Sequence, residues 1–322
     1  DFFLESRGIF DFGSGGGFGG GGGAPTLFYS RRIGLQDGQQ VPILPGGRMT
    51  RKVGSFDVGL INIQTDGAPS VGAEGANFSV ARLKRDIFDR SSVGVLFENR
   101  SRSLVADGSN QAWGVDGSFG LTDDLSVVTY YARSHTEGLD GLDASYRGQI
   151  SYDADEWGGS LGHLVVGDDF NPEMGFVRRK DFRQTTASGR FSPRTESIGW
   201  LRQLTFQADA SYLENERFGY VETRDLGGRI GVELESSDQF EVRYTDSFEG
   251  LADDARISGA TIPPGRYSFS EVQASFTLGP QRSFRGGLSL SRGDYFGGTL
   301  TAAGIGGGRV EVTPQISLEP SI

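Results

Sequence analysis

Polar and apolar residues alternate with a period of two over most of this chain. Between Ala144 and Asp153, Tyr146, Gly148, Ile150 and Tyr152 take one phase, and Arg147, Gln149, Ser151 and Asp153 the other. Successive side chains of a strand point to opposite faces, so the segment is a strand with one apolar and one polar side. Other stretches repeat the pattern. Val93, Val95 and Phe97 oppose Gly94, Leu96 and Glu98; Trp113, Val115, Gly117, Phe119 and Leu121 oppose Ala112, Gly114, Asp116, Ser118 and Gly120. Val272, Ala274, Phe276 and Leu278 oppose Glu271, Gln273, Ser275 and Thr277; Val310, Val312, Ile316 and Leu318 oppose Glu311, Thr313, Gln315 and Ser317.

The pattern predicts strands at 26–34, 46–53, 55–65, 77–87, 91–100, 111–121, 125–134, 144–153, 156–166, 182–192, 200–213, 218–235, 239–248, 266–278, 283–293, 297–304 and 309–318. Tight turns fall at Gly54, Asp89-Arg90, Thr122-Asp123-Asp124, Ala154-Asp155, Ser236-Ser237-Asp238 and Gly279-Pro280-Gln281-Arg282. Longer polar connections fall at 66–76, 101–110, 135–143, 167–181 and 249–265. Short and long connections that alternate are the layout of a membrane barrel, with tight periplasmic turns and larger external loops. That rhythm requires one more crossing between 167 and 199, and Asp181 to Ser192 is the segment available despite its poor alternation.

A soluble sandwich also alternates, but it buries one face in large aliphatics. Here the polar phase is often small or charged, which suits a wet lumen. The aromatic residues Trp113, Tyr146, Tyr152, Trp157, Trp200, Tyr212, Phe240 and Phe248 gather near strand ends, where an outer-membrane barrel carries its interfacial girdles. The expected fold is therefore all-β: an antiparallel transmembrane β-barrel of sixteen or more strands. An odd number of strands and the closing Leu318-Glu319-Pro320-Ser321-Ile322 make 26–322 read as a partial barrel, with further strands to follow. Residues 1–25 read as a periplasmic or lumenal segment. Its run from Gly13 to Gly23, almost all glycine, is a linker or else a segment folded into the lumen. A chain that opens at Asp1 reads as a mature chain or a fragment.

Composition narrows the classes. The net charge of −11 argues against a nucleic-acid partner, which would need a basic footprint. The absence of Cys removes disulfide and thiolate-metal chemistry. No window approaches the roughly 18 apolar residues of a membrane helix, and barrel strands carry a far weaker signal. The two histidines, His135 and His163, lack a serine two residues away on the same strand face, so a nucleophile–base pair of the lipase type is not expected, nor is an enzyme. Asp168, Asp169, Asn171 and Glu173 form an oxygen-rich run that is a structural loop or, less favoured, a calcium site. Basic residues recur in or beside strands at Arg31-Arg32, Arg82, Lys84-Arg85, Arg147 and Arg178-Arg179-Lys180. The polar phase nominates Asp116, Arg147, Gln149, Asp153, Glu241, Arg243, Glu271 and Gln273 for the lumen wall, where they pair across strands or meet a solute. Arg133 is expected to anchor at the headgroups.

Four phrases carry a resemblance: Phe2 to Phe12 (FFLESRGIFDF), Phe28 to Gly34 (FYSRRIG), Asn77 to Asp86 (NFSVARLKRD) and Gly167 to Arg179 (GDDFNPEMGFVRR). Together they resemble an uncharacterised family of large bacterial outer-membrane barrel proteins, whose barrel domain of unknown function usually follows a family-nine-type carbohydrate-binding domain. The resemblance runs along nearly the whole chain. It implies an outer-membrane location and a sugar-binding domain and further strands outside this sequence; it supplies no catalytic residues. The functional expectation is a channel or conduit for a polar solute, glycan-related through the family's architecture. The alternative is a scaffolding barrel that binds a periplasmic or outer-membrane protein through its loops or N-terminal segment. Outer-membrane lipid is the expected surrounding, and no cofactor is expected.

Overall fold

A computed structural model describes residues 7–13, 23–195, 197–257, 259–282, 284–313 and 316–318. Part of the glycine run, residues 14–22, lies outside them, as do residues 1–6.

The chain is all-β and antiparallel. Two short strands, β1 (Leu35–Gln36) and β2 (Gln39–Gln40), pair in a small hairpin ahead of the main sheet. The main sheet then begins with β3 (Gly47–Val53), β4 (Phe56–Gln64), β5 (Asn77–Phe88), β6 (Ser91–Arg100), β7 (Asn110–Gly120) and β8 (Leu125–Thr136). It continues with β9 (Ala144–Asp153), β10 (Trp157–Val166), β11 (Phe182–Phe191), β12 (Leu201–Asn215), β13 (Val221–Leu234) and β14 (Gln239–Leu251). A second hairpin, β15 (Ala255–Ile257) with β16 (Ala260–Ile262), interrupts it before β17 (Gly265–Thr277), β18 (Phe284–Tyr295), β19 (Gly298–Thr313) and β20 (Ile316–Leu318). The sixteen main strands pair in chain order, with β3 at one end of the order and β20 at the other. Among the described residues no pairing joins those ends, so the hydrogen bonding of the sheet is not closed into a barrel.

Most strands fall where alternation places them, including β11, the crossing that the rhythm of turns required. Two expectations need correction. Residues 26–34 form no strand: a single bridge joins Thr26 to Phe176, and Ser30–Arg32 make a 3₁₀ turn. The stretches 297–304 and 309–318 are not two strands of equal rank. One strand runs from Gly298 to Thr313, straight through Gly304 and Gly306, before the three-residue β20. Trp200 lies in the turn before β12. The alternation of tight and long connections is interrupted after 167–181, where 192–200 is long and 216–220 is short, and returns at the tight 235–238 and the long 252–264.

Contacts divide the chain into two compact units. The first comprises Asp1–Ser151, Gly162–Gln184 and Asn215–Gly219; the second comprises Tyr152–Leu161, Thr185–Glu214 and Tyr220–Ile322. In the first unit, one sheet face exposes Leu83, Val95, Val115 and Tyr131, which sit side by side in register across β5 to β8. The opposite face is covered by a second layer built from residues 7–13, the segment around Leu27 to Ile33, and the connection 167–181. Thr26 and Phe176 exchange backbone bonds of 2.9 and 2.7 Å, and Tyr29 N–H donates to Met174 O at 2.8 Å. Phe10, Ile33, Ile61, Ile63, Phe78, Val80 and Met174 form the core between layer and sheet. Residues 167–181 therefore do not extend away as a loop; Phe170 and Met174 are fully buried.

In the second unit, Phe206, Ile230, Val242, Ala274 and Leu290 stand in one cross-strand row. Four of those strands carry an adjacent row of Gln207, Arg229, Arg243 and Gln273 on the other face. Both faces keep partial exposure, and among the described residues neither bears a large aliphatic core.

Candidate functional site

The covered face of the first unit is organised around Arg82. Phe78, Val80 and Arg82 share the buried phase of β5, so the guanidinium enters an apolar environment and is only 2 % exposed. Gly94, directly across the sheet from Lys84 and Asp116, leaves room for the guanidinium to lie over the β6 backbone. Arg82 Nη1 and Nη2 donate to the two carboxylate oxygens of Asp116 at 2.5 and 2.8 Å, and Nη2 also donates to Asp11 O at 2.8 Å. Gly13 N–H donates to Asp116 at 3.4 Å. A forked, charge-assisted pair of this kind is among the stronger polar contacts available to a protein.

One row along the same face lies Glu98, 1 % exposed, in register with Val80 and Ala112. Neither of its carboxylate oxygens has a hydrogen-bond partner. Further along, Arg100 and Glu173 approach to 3.9 Å. Glu173 accepts from Ser103 Oγ at 2.6 Å and from Leu104 N–H at 2.9 Å.

The four oxygen donors of 167–181 are spent on loop architecture. Asp168 accepts from Leu142 N–H (2.7 Å) and Arg217 (3.2 Å), and Asp169 from Gly141 N–H (2.6 Å). Asn171 O accepts from Asn110 Nδ2 (2.7 Å), and Asn171 Oδ1 from Lys180 Nζ (3.2 Å). Burial lowers the Lys180 ammonium below its ordinary value, against the pull of Asp169, Asp168 and Glu173. Among the described residues no group of three His, Asp or Glu is placed to hold a metal ion. Ser134 and His135 fall on opposite faces, Ser134 buried and His135 exposed, and His163 lies beside Tyr146 with ring centroids 6.4 Å apart.

The residues nominated for the lumen wall share one phase of the sheet but not one environment. Asp116 is locked to Arg82 under the inner layer. Arg147 bonds Gln149, which donates to Ser151 at 3.2 Å. In the second unit, Asp153 accepts from Arg190 at 2.8 Å. Arg229 donates to Glu241 at 3.1 Å and to Gln207 at 2.6 Å, and Arg243 lies 3.7 Å from Glu241. Glu271 and Gln273 stand opposite Thr245 and Arg243. The result is a half-buried polar ladder across β12, β13, β14 and β17, in which Glu241 lies between the facing cations Arg229 and Arg243.

The aromatic residues nominated for girdles take the other phase. Trp113, Tyr146, Tyr152, Trp157, Tyr212 and Phe240 are exposed on it, as is Trp200 in its turn; Phe248 is half-buried beneath Arg224, 5.9 Å from the guanidinium carbon. Trp157 stacks on Phe191 at 4.3 Å, and Phe191 on Phe206 at 6.4 Å. Arg133, expected at the headgroups, is exposed and makes a two-point pair with Asp143 at 3.0 and 2.8 Å.

Sequence reasoning noted Arg82 only as one basic residue among several, and passed over Glu98, Arg190 and Arg229. A signal was present: Arg82 and Glu98 each fall in phase with apolar neighbours, Phe78 and Val80 for one and Leu96 for the other. No family model, curated protein or solved structure matches this chain.

Proposed function

We propose that this chain forms part of the wall of an outer-membrane β-barrel that conducts a polar solute, glycan-related in the family it resembles. The observation that carries the reading is the opposition of the two faces across β12 to β14. Phe206, Ile230 and Tyr244 are exposed on one, while Gln207, Arg229, Glu241 and Arg243 pair on the other. A contiguous apolar face of this breadth is unusual on a protein surrounded by water. A half-exposed charged ladder, conversely, has no place in hydrocarbon. A sheet that separates lipid from a wet interior satisfies both, and closure of the sheet, directly or through further strands, is part of the proposal because exposed strand edges are not tolerated in lipid. The charged row would then set selectivity as pore-lining rings do.

The inner layer on the first unit favours a gated conduit over an open pore, and it is also the observation that favours the second reading, a scaffolding barrel. Reconstitution into planar bilayers separates them. Depth-dependent quenching of Trp113, Trp157 and Trp200 by brominated lipid reports insertion, and single-channel recording reports passage. Quenching with discrete conductance steps is expected. Quenching without conductance in any condition leaves the scaffold, and no quenching overturns the membrane reading itself.

A further inference from the structure

Residues 8–13 meet their sheet face through side chains, as a bound peptide meets a receptor. Phe10 fits against Gly59, where a Cβ would stand 2.7 Å from its ring, and Phe12 fits against Gly114 in the same way. Phe10 also packs on Phe28, ring centroids 5.5 Å apart, and Phe12 on Tyr130 at 5.6 Å. Arg48 and Arg82 lie 5.5 and 5.6 Å from the two ring centres. Between the two phenylalanines Arg82 holds Asp11 O, and just after them Asp116 holds Gly13 N–H. Two aromatic slots with a charged clamp between them define a recognition pattern: aromatic, any residue, aromatic, glycine.

A second observation concerns permanence. Glu98, on the same sheet face and in register with Val80 of the Phe10 cluster, is buried with both oxygens unpartnered. A carboxyl kept dry without a partner destabilises the state that buries it. A face that uncovers part of the time gives Glu98 water. We infer that this face is a peptide-recognition site for the aromatic-x-aromatic-Gly pattern, filled in cis by Phe10–Gly13 and exchangeable with the same sequence in trans. The inference does not depend on conduction.

The chain has no cysteine, so Ala132→Cys introduces a single thiol. Ala132 is fully buried and pairs with Gly114, the residue against which Phe12 rests. Labelling by a water-soluble maleimide should be slow in the intact chain and at least about tenfold faster after removal of residues 1–13. A synthetic peptide of residues 7–13 should restore protection saturably, and the same peptide with Phe12→Ala should not. Glu98→Leu in the intact chain should slow labelling about threefold. Unchanged labelling after the deletion, or a peptide that fails to protect, would overturn the site; a Glu98→Leu chain labelled as fast as its parent would overturn the exchange. Where the shortened chain loses its β-sheet circular dichroism, fluorescent peptide 7–13 is titrated onto the intact chain. Saturable binding that Arg82→Gln weakens about tenfold supports the site, and no binding overturns it.

Discussion

The two units use one architecture and treat its polar face in opposite ways. In the first, the face is dry: Arg82 and Asp116 form a forked pair under Phe12, and Glu98 sits beside them with nothing to bond. In the second, the equivalent phase carries Arg229, Glu241 and Arg243 in a half-exposed ladder without a core over it. The difference teaches that alternation specifies where side chains point and leaves open what meets them. Electrostatics follows the covering. The same kind of ion pair is a critical contact when desolvated and a minor one when wet.

The sharpest way to break the comparison is to remove one arginine from each unit. Arg82→Ala leaves Asp116 buried without its cation and should destabilise the folded state by about 3–5 kcal/mol. Arg229→Ala should cost no more than about 1 kcal/mol. Denaturant unfolding in one detergent measures both, and equal losses would dissolve the distinction. Next comes the outward face. Ile230→Arg should cost about 2–4 kcal/mol of stability in lipid if that row meets hydrocarbon, whereas Thr245→Arg, on the ladder face, should be tolerated. Equal tolerance would remove the outward face from the bilayer. Glu98→Leu should stabilise by about 1–3 kcal/mol, because it deletes an unsatisfied buried group and keeps the volume. A loss of stability there would mean that Glu98 has a partner in the folded state.

The smallest effect is acid dependence in the second unit. Asp238 is buried in the turn before β14 but, unlike Glu98, is fully provided for. Arg282 makes a two-point pair with it, and Gly279 N–H and Ser236 Oγ each donate at 2.8 Å. These donors, Arg282 foremost, hold its carboxyl well below the usual carboxylate range. A folded-state value below the unfolded one contributes stability above the unfolded value, lost as pH falls through the folded value. Asp238→Asn should therefore lower the unfolding midpoint at neutral pH, and the two proteins should converge only in strong acid. Convergence already near pH 5 would refute the assignment.

Much of the sheet was legible because period-two alternation is a local property. The phase of Tyr146, Ile150 and Tyr152 against Arg147 and Gln149 needs no knowledge of distant residues. The inner layer was not legible for the opposite reason. Leu27 and Ile33 resemble the apolar phase of a strand, yet they face a connection some 145 residues later, and nothing in 26–34 records that. The oxygen-rich run at 168–173 was legible in part. Its donors allowed a structural loop or, less favoured, a cation site, and only the fold shows which partners they take: the backbone amides of Leu104, Gly141 and Leu142. The glycines between Gly304 and Gly308 resembled a turn because glycine favours turns; the backbone there stays extended and paired with β18. Arg82 and Glu98 obeyed the alternation and contradicted the polarity expected of its buried phase, which is where function and strain concentrate.

The inner layer also fixes an order of events. Phe12 rests on Tyr130 and Gly114, and Thr26 bonds Phe176, so these residues, made before the sheet, dock on a surface that exists only once β7, β8 and the connection after β10 have been placed. Closing contacts of that separation is entropically costly and slow. Until then the apolar side chains of Phe10 and Phe12 have no surface to cover them, and exposed apolar surface during folding favours aggregation.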